Sequence, residues 1–452
     1  MKILVVGAGQ VGVQVCKYLV REKDCEISIL DKESDRVESI SEKFNINGVV
    51  GEGNNKDDLM KANIQSTNLI VVATPSDDRN VMIAYFARKL NPQINTIARV
   101  RNRNYHDFID RSRDGFVDVI INPEGAVADT AQRLIQSRQL IYYQDLFDGK
   151  SQIVGLKLTG SSNVLNTPLR QLSASFVELK TTVIAFRRNE ILRLANSDDT
   201  LIDGDEVYLV TAKEDLERAL EIFGIEQSHN LKLLVIGGGR VGGDFARILE
   251  SRQIRPKINI IERKEERTRR LAEVLEKATV FHGDGMNREI IMEAGIQTSQ
   301  TVVAFTENDH TNLLALFQAK QINPRVITVG LLNDNSLNQL ASSMGIDIIL
   351  NPQTTTISRV LVNVKPISFR QVYIVGQDEG ELCEIEIRKS YHSLGKKIKD
   401  LKLPMLIAGI LRDNQSIKFT PDTTIHEGDV LALFMLSKDV RKVTEFFGAD
   451  GF

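Results

Sequence analysis

The sequence predicts an α/β protein built from two doubly wound parallel sheets, each followed by a small α+β domain. Three observations predict this. A long order of segments occurs twice, short apolar runs alternate with amphipathic helical patterns, and a glycine-rich turn separates the first run from the first helix of each repeat. Lys2-Ile-Leu-Val-Val-Gly-Ala-Gly-Gln-Val-Gly12 returns as Lys232-Leu-Leu-Val-Ile-Gly-Gly-Gly-Arg-Val-Gly242. Gly51-Glu-Gly-Asn returns as Gly283-Asp-Gly-Met, Val71-Val-Ala-Thr as Val302-Val-Ala-Phe, and Asn122-Pro123 as Asn351-Pro352. Further on, Asp203-Gly-Asp-Glu-Val-Tyr-Leu-Val resembles His426-Glu-Gly-Asp-Val-Leu-Ala-Leu, and Phe223-Gly224 matches Phe447-Gly448. The unit is about 225 residues long and holds two parts.

In the first part, the runs Ile3–Val6, Ile27–Leu30, Leu69–Ala73, Thr96–Val100 and Val117–Ile121 are continuously apolar. Strands covered on both faces read this way, so a buried parallel sheet is expected. The second part shows short alternating strands, turn signals and a closing helix such as Glu214–Phe223. Expected domains are 1–140, 141–226, 227–366 and 367–452, with Ser137–Lys150 and Gly224–Lys232 as linkers.

Composition narrows the function. Apolar residues at 42% and charged residues at 26% suit a soluble globular chain, and the net charge of −3 argues against a general nucleic-acid binder. Cys16, Cys25 and Cys383 form no CxxC pair, which suits a reducing compartment. No run approaches the ~20 apolar residues that span a bilayer. Met1–Gly7 leads straight into a glycine turn and does not read as a signal peptide, so a cytoplasmic protein is expected.

The turn Gly7-Ala8-Gly9-Gln10-Val11-Gly12 follows a strand and opens a helix with Val11, Val15 and Leu19 on one face. In such a turn the first glycine allows the tight bend, the second lets a pyrophosphate approach the backbone, and the third lets the helix pack close. This is the Rossmann-type arrangement, with free N–H groups at the helix start for phosphate. Asp31 lies where an acid accepts from ribose hydroxyls. The second copy offers Gly237, Gly239, Arg240, Val241 and Gly242, with Glu262 as the acid. Both acids repel a 2′-phosphate, favouring NAD or an adenine nucleotide over NADP, although Arg263 weakens that argument in the second copy. Thr74 lies at the carboxyl edge of the sheet, either beside a ligand or as a cap for the helix Ser76–Leu90. Arg99, a charge in an apolar run, suggests a phosphate, a subunit partner or a snorkelling edge residue.

These segments, with the order KILVVGAGQVG, VVATPSDDRNVMIA, IARVRN, INPE and LIDGDEVYLV, resemble the family of Trk potassium-uptake regulators built from RCK (KTN) domains, TrkA-N and TrkA-C. The resemblance covers nearly the whole chain. It implies RCK-C-like small domains and NAD(H) or ATP/ADP as regulatory ligands. It also implies a homo-oligomer, a ring-like tetramer, on a TrkH-type potassium translocator at the inner face of the plasma membrane. It places an acid near the adenosine at the third strand end, where this chain has Glu52 in the first copy and Asp284 in the second. The segment after Asn122-Pro123 reads as a helix with Ala128, Ala131, Leu134 and Ile135 on an apolar stripe, which either packs within its own domain or meets a partner; the resemblance favours a crossover helix at a subunit interface, with a twin after Asn351-Pro352.

Two other functions compete. A nicotinamide-dependent oxidoreductase needs an acid/base residue beside the cofactor. The histidines, His106, His229, His282, His310, His392 and His426, form no motif, and GxSxG, HExxH and a P-loop lysine are absent from the sequence. A transcription factor needs a helix-turn-helix or a basic surface, whereas the most basic stretch, Arg263–Arg270, is interleaved with Glu and reads as a solvated helix face. A binding module that passes a change of shape to a partner fits the sequence best, with no catalysis and no nucleic acid.

Overall fold

The computed structural model describes residues 1–22, 25–102, 105, 109, 115–135, 137, 139–175, 179–225, 231–251, 256–364, 369–376, 379–389, 391, 393–401 and 404–448. His106, His229, His392 and much of the stretch after Gly224 lie outside the described residues. The chain forms two compact units. One holds the first parallel sheet together with the helix Gln353–Val364, and the other holds the remaining three sheets.

The first sheet contains β1 (Lys2–Val6), β2 (Glu26–Asp31), β3 (Asn47–Val50), β4 (Leu69–Val72), β5 (Asn95–Arg99) and β6 (Val119–Ile121), in the spatial order β3-β2-β1-β4-β5-β6. All its pairings are parallel. The order reverses between β1 and β4, which opens a crevice at the carboxyl ends of the strands. β3 is missing from the apolar runs read in the sequence because Asn47-Gly-Val-Val is a short, largely exposed edge strand.

Five antiparallel strands follow: β7 (Leu140–Leu146), β8 (Ser151–Lys157), β9 (Thr181–Arg188), β10 (Ile191–Leu194) and β11 (Glu206–Ala212), ordered β10-β9-β11-β8-β7. Half of the expected linker Ser137–Lys150 is therefore strand. β7 runs through it, paired to β8, and its polar residues mislead because they sit on a half-buried sheet edge. The closing helix is Leu216–Ile222, shorter than the expected Glu214–Phe223.

The second parallel sheet, β12 (Lys232–Ile236), β13 (Lys257–Glu262), β14 (Thr279–His282), β15 (Thr301–Ala304), β16 (Ile327–Leu331) and β17 (Ile348–Leu350), repeats the first strand order. The last sheet, β18 (Phe369–Val375), β19 (Gly380–Glu386), β20 (Met405–Arg412), β21 (Gln415–Ile417) and β22 (Val430–Leu436), is ordered β18-β19-β22-β20-β21, the topology of the earlier antiparallel sheet. The two antiparallel sheets share one apolar core, with Leu146, Phe147, Ile153, Ile184 and Tyr208 buried beside Val375, Leu382, Leu411 and Phe434. The Tyr142 hydroxyl donates to the Ile374 carbonyl at 3.0 Å, and buried Arg187 reaches both Glu379 and the Gly376 carbonyl.

The helix Pro123–Leu134 follows the first sheet, yet Val127, Ala128, Ala131, Leu134 and Ile135 are buried in the core that contains Leu233, Val241 and Phe245 of the second repeat. The helix Gln353–Val364 follows the second sheet, yet packs on the helix Gln10–Leu19, with Val360 in the core of the first sheet. This corrects the expected crossover at a subunit interface. The two repeats of one chain exchange these helices, so the stripe is covered without a second molecule.

One buried acid breaks the symmetry of the antiparallel pair. Strand registers place Glu384 opposite Gln371 on β19–β18 and Gly155 opposite Tyr142 on β8–β7, making Gly155 the counterpart of Glu384. The Glu384 carboxylate accepts the Phe147 N–H at 2.8 Å and the Tyr373 hydroxyl at 3.3 Å. Burial pushes it up to about 7, with Asp148 raising it further, against the two hydrogen bonds and the Arg370 charge. The ordinary glutamate value is 4.5, so against an unfolded chain with that ordinary value the folded state binds the extra proton between these two values. The acid's contribution to stability is therefore complete below the unfolded value and is lost as pH rises through about 7. At about 1.4 kcal/mol per unit, the loss is on the order of 3 kcal/mol. Glu384→Gln keeps an acceptor for Phe147 and removes the titration. Thermal melts should show the variant close to the parent near pH 5 and clearly more stable near pH 8; equal differences at both values would contradict the assignment.

Candidate functional site

The glycine turn shows which of its glycines the fold itself demands. Gly7 adopts φ +107°, in the left-handed region, and a β-carbon there would lie 3.0 Å from the Ala73 carbonyl oxygen. A β-carbon on Gly12 would lie 1.9 Å from the Gly7 carbonyl oxygen, so helix and strand meet too closely for any side chain. Gly9 differs. It has ordinary extended backbone at φ −78°, and a β-carbon there would meet nothing within 4 Å. The second copy repeats the pattern. Gly237 has φ +98°, a β-carbon on Gly242 would lie 2.0 Å from the Gly237 oxygen, and one on Gly239 would meet only a guanidinium nitrogen of Arg267 at 3.6 Å. The middle glycine of each turn is needed neither for conformation nor for internal packing.

Gly9 and Gly239 are the N-caps of the helices Gln10–Leu19 and Arg240–Glu250, and neither offers a side-chain acceptor. The first-turn N–H groups, at Gln10, Val11 and Gly12 and at Arg240, Val241 and Gly242, thus form an uncapped positive helix end. Gln10 and Arg240 are exposed, while Val11 and Val241 point into the cores.

The acids at the second strand ends anchor these turns. One oxygen of Asp31 accepts the Ala8 N–H at 2.6 Å and the other the Glu33 N–H at 3.0 Å. Glu262 does the same for Gly238 at 2.9 Å and Lys264 at 2.8 Å. Asp31 is half-buried, and Glu262 only 5% exposed. A carboxylate oxygen has two acceptor sites, so an anchored acid can still take a further donor. Glu52 and Asp284 are exposed beyond the third strands. The Glu52 N–H donates to Asp58 at 3.0 Å, and Asp284 accepts from the Met286 N–H at 2.9 Å.

At the fourth strand end the Thr74 N–H donates to the Asn80 Oδ1 at 3.0 Å and the Thr74 hydroxyl turns to the same atom. Ser76, not Thr74, caps the following helix, accepting from the Arg79 N–H. Asn80, fully buried, also donates to the carbonyls of Thr74 and Arg99 at 3.0 and 2.8 Å. Thr306 and Asn312 repeat these bonds. This makes Thr306, rather than Phe305, the counterpart of Thr74. Asn80 and Asn312 are not among the residues singled out from the sequence; their recurrence directly before the matched apolar stretches at Val81 and Leu313 is the available signal. Arg99 is tied to Glu124 in the first turn of the exchanged helix. The register pairs Arg99 with Ile121 and Leu331 with Leu350, so Leu331 replaces Arg99 in the second copy. Gln353 likewise stands for Glu124 after Asn351-Pro352.

TrkA-N domain models match residues 3–123 and 233–352, and TrkA-C domain models match 153–224 and 382–448. A Trk system potassium uptake protein TrkA of Azorhizobium caulinodans is 31% identical over 99% of this chain and 98% of its own length. The chain belongs to the TrkA family. A TrkA protein of Vibrio alginolyticus is 28% identical over 97% of the chain and 96% of its own length. Among solved structures, the GsuK RCK domain covers 99% of this chain and 95% of its own, with a TM-score of 0.65 at 18% identity. The GsuK channel bound to NAD covers 99% of this chain and 79% of its own, with a TM-score of 0.64 at 17% identity. Membership makes this a regulatory RCK protein of Trk potassium uptake and not a catalytic enzyme. Among the described residues no helix is long and apolar enough to cross a membrane.

The two kinds of TrkA-N glycine separate by mutation. Gly12→Ala should destabilise the ligand-free protein by at least about 2 kcal/mol, because a backbone oxygen must move. Gly9→Ala should cost about 1 kcal/mol or less, the ordinary penalty of alanine at an N-cap. Thermal melts without nucleotide decide it, and comparable losses in both variants would refute the distinction.

Proposed function

We propose that this TrkA-family protein is a nucleotide-sensing regulatory subunit that docks on a TrkH-type potassium translocator at the inner face of the plasma membrane and gates it. The observation that carries this reading is the middle glycine. Gly9 and Gly239 leave open backbone beside an uncapped helix start and an anchored acid, a combination that internal packing does not require. A pyrophosphate supplies the reason. Gly7, Ala8, Gly9, Gln10, Val11 and Gly12 cradle the phosphates, Asp31 accepts from the ribose, and Glu52 and Thr74 border the adenosine and the far half of the crevice. Gly237, Gly239, Arg240, Val241, Gly242, Glu262 and Asp284 do the same in the second copy. Arg99 joins only by giving up Glu124. The ligands are NAD(H) or ATP/ADP; solved neighbours of this fold include GsuK bound to NAD and GsuK bound to ADP.

Gating requires the ligand to bind two conformations with different affinity. Gly9→Val should abolish nucleotide binding at the first site, and Asp31→Ala should weaken it by about 1–3 kcal/mol, read by calorimetry with NAD, NADH, ATP and ADP. Potassium flux through the co-reconstituted translocator should respond to nucleotide with the parent and lose that response in part with Gly9→Val. Flux indifferent to protein and nucleotide alike would reject the reading.

A homotetrameric ring also needs an interface, and the exchanged helices do not provide one. The helices Asp77–Leu90 and Asp309–Ile322 expose large apolar side chains at matched places, Met82 and Tyr85 in one and Leu314 and Phe317 in the other. Each copy of the chain thus carries the same stripe twice, a pattern suited to repeated contacts between copies. Tyr85→Asp with Phe317→Asp should dissociate the assembly and leave folded chains, whereas Leu134→Asp should unfold the chain. Light scattering and far-ultraviolet circular dichroism together distinguish these outcomes, and a double variant that keeps the parent mass would exclude the stripe.

A further inference from the structure

The basic stretch Arg263–Arg270 is only partly a solvated helix face. Arg269 pairs with Glu265 one turn away along the helix Glu265–Val274. Arg267, on the same helix, instead lies against the glycine turn. One guanidinium nitrogen is 3.6 Å from the position a β-carbon on Gly239 would take, and another is 3.4 Å from the Glu307 carboxylate. Glu307 directly follows Thr306, at the carboxyl end of β15. The pair therefore reaches from the turn after β12 to the loop after β15, across the crevice of the second sheet. The first copy carries Arg36 at the matching place, five residues after Asp31 as Arg267 is after Glu262, but nothing lies within 4 Å of a β-carbon on Gly9, and Pro75 follows Thr74 where Glu307 follows Thr306.

The Arg267–Glu307 pair is a loose tether. Glu307 is 84% exposed, and an exposed pair at this distance is screened by water and salt. The place the guanidinium occupies is the open face of Gly239, beside the uncapped N–H groups of the helix that starts at Arg240. A diphosphate entering there brings a stronger acceptor than one carboxylate, and a planar guanidinium can take two of its oxygens at once.

We propose that Arg267 is a phosphate clamp of the second site and that Glu307, which has no counterpart in the first, is its internal competitor, holding the guanidinium over Gly239 until the pyrophosphate of a nucleotide takes the place of that carboxylate. This rests on the nucleotide reading given above and goes beyond it. It assigns the second site a charge-dependent affinity, set by the exchange of one carboxylate for a diphosphate, that the first site lacks.

The test uses the full chain carrying Gly9→Val, so that only the second site is titrated, with ADP and adenosine as probes. Arg267→Ala should weaken ADP binding about tenfold or more, leave adenosine binding unchanged, and reduce the salt dependence of ADP binding. Arg267→Lys should fall between, since it keeps the charge and loses the fork. Glu307→Gln should tighten ADP binding several-fold without affecting adenosine. ADP binding that is unchanged by both Arg267→Ala and Glu307→Gln would overturn the clamp and leave the nucleotide reading standing. Tighter binding in Arg267→Ala would show that the arginine blocks the site, and would also overturn the proposal. No ADP binding in the Gly9→Val parent, with its melt unchanged, would instead defeat the nucleotide reading of the second site.

Discussion

The architecture depends on the exchange of two helices between the repeats. Each parallel sheet has a flank that must be covered, and the helix that leaves the sheet does not cover it. Leu134 and Ile135 are buried with Phe245 and Leu233, while Val360 is buried with Ile3 and Val15. Removing such a side chain from a filled core costs about 2–5 kcal/mol, so each repeat depends on the presence of the other. A single repeat would leave an apolar flank open and an apolar helix unpartnered. Within this chain, the duplication is what supplies each flank with its covering helix.

Once the halves are bound to each other, they are free to differ where the fold permits. The glycines that close strand against helix are the same in both copies, because a backbone oxygen about 2 Å from a β-carbon allows no alternative. The buried asparagines are also the same, since each closes three backbone groups that would otherwise be orphaned. Divergence falls mainly on charged groups at the crevice, with one change buried between the antiparallel sheets. The ionic pair Arg99–Glu124 becomes Leu331 and Gln353, Pro75 becomes Glu307, and Gly155 becomes Glu384. These changes alter charge at the crevice and at the joined antiparallel sheets while leaving both topologies intact.

The same division explains how much was legible in the sequence. Strands covered on both faces are continuous apolar runs, and β1, β4 and β12 stand out for that reason. The glycine turn with its acid is local in sequence, so the candidate site could be read from spacing alone. β3 and β7 were not legible, because edge and half-buried strands carry polar residues like loops. The partner of Arg99 lies twenty-five residues away and its identity depends on how β5 and β6 pair. The partners of the exchanged helices lie a whole repeat away, and no periodicity within the helix Pro123–Leu134 says which of two similar sheets its stripe will cover.

That ambiguity bears on regulation. A ligand changes a protein's conformation only by the difference in its affinity for two states, and a shift from mostly one state to mostly the other needs about 5.5 kcal/mol. A single nucleotide contact supplies a fraction of that. The chain carries two glycine turns, and the first turn of the helix Pro123–Leu134 is held by Arg99 at the end of β5 while its later turns lie in the core of the other repeat. The helix is thus a continuous element that begins at the crevice edge of one sheet and ends among the apolar residues that support the other. A shift of that size therefore has to be assembled from more than one contact.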